Sequence, residues 1–130
     1  HELVGCDMIL IDFTGNSLDE SMHGQSWYTF YKHDLSEPLP MKFMRGFCTD
    51  VMEHIPPHQV DKVIENIMAA ADKVFFQISL IPDVCGALIG QELHLSVHPM
   101  DWWARRFASL GYTVEWSQDE ETAALFYVTH

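Results

Sequence analysis

The chain has 130 residues, 48% apolar and 12% aromatic, which suits one domain with a sizeable core and excludes a disordered segment. A net charge of −12, with only seven scattered Lys and Arg, excludes a basic stripe for a phosphate backbone and makes nucleic acid a poor ligand. No apolar run approaches the ~20 residues of a membrane span or resembles a signal peptide. The three cysteines include no C-x-x-C pair, so they read as free thiols of a reducing, cytoplasmic compartment.

In chain order, Met8-Ile9-Leu10-Ile11 is a short apolar run ending at Asp12, the pattern of a buried strand. Residues 27–35 are aromatic-rich and close on His33-Asp34-Leu35, which predicts a second strand. A third, 45–49, is stopped by an acidic turn. Pro56-Pro57 then opens a helix, because proline fits a first turn whose N–H groups lack partners anyway. Over 58–71, Val60, Val63, Ile64, Ile67, Met68 and Ala71 recur at helical spacing and form one apolar face, which reads as core rather than as a cofactor box. The run Val74-Phe75-Phe76-Gln77-Ile78-Ser79-Leu80 is the strongest strand, apolar enough for burial on both faces in a parallel sheet.

Residues 99–110 read as a helix capped by Gly111. Strands 112–116 and 123–128 follow, joined by Asp119-Glu120-Glu121 as an antiparallel hairpin. Strands alternating with helices predict a single α/β domain over 1–130 with helices on both faces of its sheet.

Two motifs carry a resemblance. The segment Cys48-Thr49-Asp50-Val51-Met52-Glu53-His54-Ile55-Pro56-Pro57 reads CTDV-x-EHIPP. Gly90, Leu93-His94-Leu95, Pro99 and Trp102-Trp103 form a later G-x-x-LHL-x-x-x-P-x-x-WW stretch. Together, flanking the 75–79 strand, they resemble the class I S-adenosylmethionine (SAM)-dependent methyltransferases, and more narrowly a bacterial and phage-type branch. The resemblance covers nearly the whole chain from Met8 onward. It implies a Rossmann-like, mostly parallel sheet with a C-terminal antiparallel hairpin.

The resemblance also implies residue roles. Asp12 matches the strand-end acid that takes the ribose hydroxyls of SAM; its plainer reading is a turn aspartate. Asp34 matches the acid facing the adenine amino group, with Leu35 beside the ring. Cys48, Thr49 and Asp50 match the strand end beneath the methionine part, where Asp50 would accept from the ammonium or orient a substrate. His54 and His94 are the candidate general bases, since imidazole suits proton removal near neutral pH. The plainer reading of Glu53 and His54 is that they cap and pack the turn, and that of Trp103 is core packing. Glu92, His94 and His98 superficially resemble metal ligands, but Leu95 and Val97 between them argue for an extended stretch, and no metal is expected.

One family element is missing from the sequence. A glycine-rich loop after the first strand, roughly G-x-G-x-G, lets the backbone approach the cofactor closely. Here Gly5 and Gly15 are isolated, and Thr14-Gly15-Asn16-Ser17 is a partial echo. Either 9–17 is a degenerate first strand and loop, or Met8 to Asp12 is the second strand and the loop lies upstream of His1. The short spacing to Asp34 favours the second, which leaves the sheet without its first strand and with an open edge suited to homodimer pairing. The expected activity is methyl transfer from SAM to a small molecule or protein, with a nucleobase in play. The competing readings are a non-catalytic interaction module that has lost the SAM site and a metal-binding domain.

Overall fold

The computed structural model describes residues 8–12 and 28–130. Two parallel strands come first, β1 (Met8–Asp12) and β2 (Tyr28–Lys32), registered from Met8 opposite Tyr28 to Asp12 opposite Lys32. Then follow β3 (Phe43–Thr49), a 3₁₀ turn (Met52–His54), α1 (Val60–Ala70), β4 (Ala71–Ser79), α2 (Val84–Ile89), α3 (Met100–Ser109), β5 (Thr113–Asp119) and β6 (Ala123–Thr129).

These four later strands form one sheet in the order β3-β4-β6-β5, while β1 and β2 form a two-stranded sheet of their own among the described residues. The expected elements are thus present, but the sheet is mixed rather than mostly parallel. Only β3 runs parallel to β4; β6 is antiparallel to both β4 and β5. The reason lies in the returning hairpin. After α3 the chain lays down β5 at the sheet edge and turns back to insert β6 beside β4, and a hairpin can only be antiparallel. The glycine echo at Thr14-Gly15-Asn16-Ser17, Trp27 and the question of a first strand lie outside the described residues.

Burial follows the pleat. Val74, Phe76 and Ile78 of β4 pair with Val128, Phe126 and Ala124 of β6, and all six are buried on one face. That face receives Val60, Val63, Ile64, Ile67 and Met68 from α1 and Trp103 and Phe107 from α3. Phe107 sits between the two strands, its ring 4.9 Å from Phe76 and 5.3 Å from Phe126. Each such aliphatic or aromatic side chain contributes about 1.5–3 kcal/mol by leaving water. The two long helices, α1 and α3, both pack on this face. On the other face Phe75, Leu125 and Tyr127 are half-buried and Phe47 is 76% exposed, so β4 is not buried on both sides.

Local chemistry ends each element. Pro57 starts a 3₁₀ turn that leads into α1, as the diproline predicts. Gly111 follows α3 at φ +92, a left-handed position that a side chain would strain. In the acidic turn the Asp119 carboxylate accepts from the Glu121 N–H at 2.8 Å, which holds Glu121 at φ +67 and closes the hairpin. No helix among the described residues is long and apolar enough to cross a membrane.

Candidate functional site

The two sequence motifs meet at the carboxyl ends of β3 and β4. Beyond Thr49 the chain continues one more ladder step, the Asp50 N–H donating to the Gln77 carbonyl at 3.0 Å. Asp50 then takes φ +56, a conformation that aspartate tolerates better than most residues. This kink reverses the chain into the 3₁₀ turn Met52–His54 and drives Met52 and Glu53 inward, at 0% and 1% exposure.

The second motif is laced onto that turn. The N–H groups of Leu95 and Ser96 donate to the Glu53 carbonyl at 2.8 and 3.0 Å. Ser96 Oγ donates to the Ile55 carbonyl at 2.6 Å, and His54 Nδ1 donates to the Leu93 carbonyl at 2.9 Å. His94 Nδ1 reaches the other way, to the Ile81 carbonyl just past β4, at 2.7 Å. The segment 93–96 therefore bridges both strand ends without regular secondary structure of its own. It brings the rings of His54 and His94 to 4.8 Å, nearly perpendicular at 84°.

Glu53 is the residue that sequence reasoning undervalued. Its Oε2 is buried with no hydrogen-bond partner. Burial pushes its carboxyl above the ordinary glutamate value, and the Asp50 charge adds to that; its own N–H, the His54 charge and the Ser79 N–H oppose it. One donor atom from each of Glu53, His54 and His94 lies within 4.8 Å of the others. The sequence pointed to Glu92, His94 and His98 as the superficial ligand trio, but the structure sends His98 elsewhere. The His98 ring stacks on Trp102 at 3.6 Å and 13°, and Trp102 in turn lies 5.4 Å beneath the Arg106 guanidinium. Trp103 is fully buried core, in keeping with its plainer reading.

The other expected site residues divide by surroundings. Asp12 closes β1, its carbonyl accepting from the His33 N–H at 2.7 Å. Asp34 follows β2 on an exposed turn where its carboxylate accepts from the Ser36 N–H at 2.9 Å. The backbone and side chain of Ser36, with the charges of His33 and Lys62, hold that carboxyl below its ordinary value. Leu35 is half-buried against the core, and its carbonyl accepts from Asn66 Nδ2 of α1 at 2.9 Å. Cys48 points into the core, while Thr49 and Asp50 are exposed. The parallel pairing of β1 with β2 brings Asp12 and the turn of Asp34 to one end of their sheet.

No protein-family model matches the chain, and no curated protein is significantly similar to it. Solved structures are similar in fold. An S-adenosylmethionine-dependent methyltransferase from Mesorhizobium loti superposes with a TM-score of 0.74 at 11% identity, over 95% of this chain and 80% of that one. The DhpI–SAH complex gives 0.74 at 14% identity, over 95% and 65% of the two chains. The LepI complex with SAM gives 0.66 at 17% identity, and there the chain spans only 36% of its neighbour's length. The chain has the class I fold of the SAM-dependent methyltransferases.

Proposed function

We propose that the chain binds SAM at the carboxyl ends of β1 to β4 and takes part in methyl transfer to an acceptor, within the bacterial and phage-type branch of the fold and in the cytoplasm. The observation that carries this reading is the junction at the β3 end. In open α/β sheets, ligands bind beyond the carboxyl ends of the strands, and here a kinked Asp50, a buried Glu53 and two facing imidazoles gather at that position. The SAM and SAH in the LepI and DhpI complexes support the same cofactor.

In this reading Asp12 accepts from the ribose hydroxyls and Asp34 from the adenine amino group, with Leu35 against the ring. Thr49 and Asp50, with the backbone of Cys48, border the methionine end, where the Asp50 carboxylate accepts from the ammonium. Positioning of donor and acceptor supplies most of the rate. His54 and His94 each keep Nε2 free of the backbone, since Nδ1 is engaged, and either can take the acceptor's proton. The low basicity favours a small molecule or protein as acceptor over a nucleobase.

Calorimetric titration with SAM tests the reading: saturable binding of one equivalent is expected, and its absence overturns the assignment. Asp34→Ala removes the carboxylate acceptor, so a loss of roughly 10-fold or more in SAM affinity is expected with unchanged circular dichroism. Unchanged affinity removes Asp34 from the adenine site.

A further inference from the structure

We propose that Glu53, His54 and His94 form a binding site for one divalent transition-metal cation. Three observations converge. One ring nitrogen or carboxylate oxygen from each of the three residues lies within 4.8 Å of the others, and metal–ligand bonds of ~2.0–2.2 Å place neighbouring donors about 3–3.5 Å apart, so side-chain rotation that brings Nε2 of both rings inward closes the set. Glu53 Oε2 is buried with no hydrogen-bond partner, and a carboxylate oxygen so placed is stabilised by a cation or by a proton.

The third observation is the tautomer. A backbone carbonyl can only accept, so Nδ1 of both histidines carries the proton that bonds Leu93 and Ile81. In the neutral rings Nε2 then presents a lone pair. An imidazole fixed through its other nitrogen to a carbonyl is the arrangement that orients metal-binding histidines.

Two imidazoles and one carboxylate suit zinc, cobalt, manganese or iron in the divalent state, and three protein ligands leave coordination positions open. The scaffold is also suited to the task. Glu53 and His54 lie on a turn locked at the end of β3, and His94 lies on a segment tied to that turn and to the residue after Leu80. One consequence rests on the methyl-transfer reading: with Nε2 engaged on a metal, His54 and His94 hold the cation and no longer act as bases. Metal binding itself does not depend on that reading.

The test uses the untagged full chain, stripped with chelator and dialysed. Titration with Co²⁺, followed by its visible ligand-field bands, and with Zn²⁺ by calorimetry, is expected to show one equivalent per chain. Glu53→Gln and His94→Ala are each expected to weaken binding by ~10-fold or more, whereas Glu92→Gln and His98→Ala leave it unchanged. Absence of saturable binding overturns the site, and so does binding that survives both Glu53→Gln and His94→Ala. Should Glu53→Gln unfold by circular dichroism, the half-buried His94→Ala decides alone. A parallel SAM titration in chelator separates the two proposals: SAM binding without metal binding removes only the cation site, and the converse removes only the cofactor assignment.

Discussion

Cys48 lies at the end of β3 with its side chain among Met52, Phe76 and the α1 face, all buried. Burial first, and then the charges of Glu53 and Asp50, push its thiol up to about 12. The thiolate is the reactive form, so this shift leaves roughly a thousandfold less of it than an ordinary cysteine carries. Cys85 is exposed to solvent and so open to reagents. Iodoacetamide on the native protein is therefore expected to alkylate Cys85 and spare Cys48, and both in urea, as read by peptide mass spectrometry. His98 titrates in the opposite sense. Burial first, then the Arg106 charge, holds its pKa below the ordinary imidazole value. The fold thus favours the neutral ring, and the contribution is complete above the unfolded value of ~6.5 and lost as pH falls from there toward the folded value. Urea midpoints measured between about pH 7.5 and 5.5 are expected to drop on acidification, with a shallower drop in His98→Gln.

At the scale of elements, the decisive contact is the lacing of 93–96 onto the turn Met52–His54. Ser96 is buried, and its hydroxyl satisfies the Ile55 carbonyl. Ser96→Ala leaves that carbonyl without its donor, so a loss of about 1–3 kcal/mol in denaturant stability is expected. A change below a few tenths of a kcal/mol would show that the segment is held by its backbone bonds alone. The helix α2 was legible in principle and missed in practice. Asp83 caps it by accepting from the N–H groups of Cys85 and Gly86, and Gly90 ends it at φ +71. Six residues with a glycine inside carry too little periodicity to separate a helix from a strand. That glycine is demanded by packing: a Cβ on Gly86 would stand 2.2 Å from the Gln91 carbonyl oxygen.

At the scale of the molecule, and among the described residues, β4 and β6 are flanked on both sides, β3 and β5 are sheet edges, and β1 and β2 pair with each other in a separate sheet. Hydrogen exchange should follow this order. Amides of β4 and β6 are expected to exchange slowest, with those of β1 and β2 roughly a hundredfold faster or more, because two isolated strands bury too little to resist local opening. Uniform protection across both sheets would show that β1 and β2 are bound into the main core.

The sequence by itself determined the strands, both long helices and the closing hairpin, because alternation and helical spacing are local signals written into consecutive residues. It also located the two motifs. Tertiary structure decided the rest. The mixed sheet depends on where β6 inserts, which no local pattern encodes. The placement of His94 against His54, and of His98 against Trp102, depends on a segment whose hydrogen bonds reach across about forty residues. Glu53 looked like a capping residue in sequence; only the kink at Asp50, which turns it inward, leaves its carboxylate buried at the centre of the site.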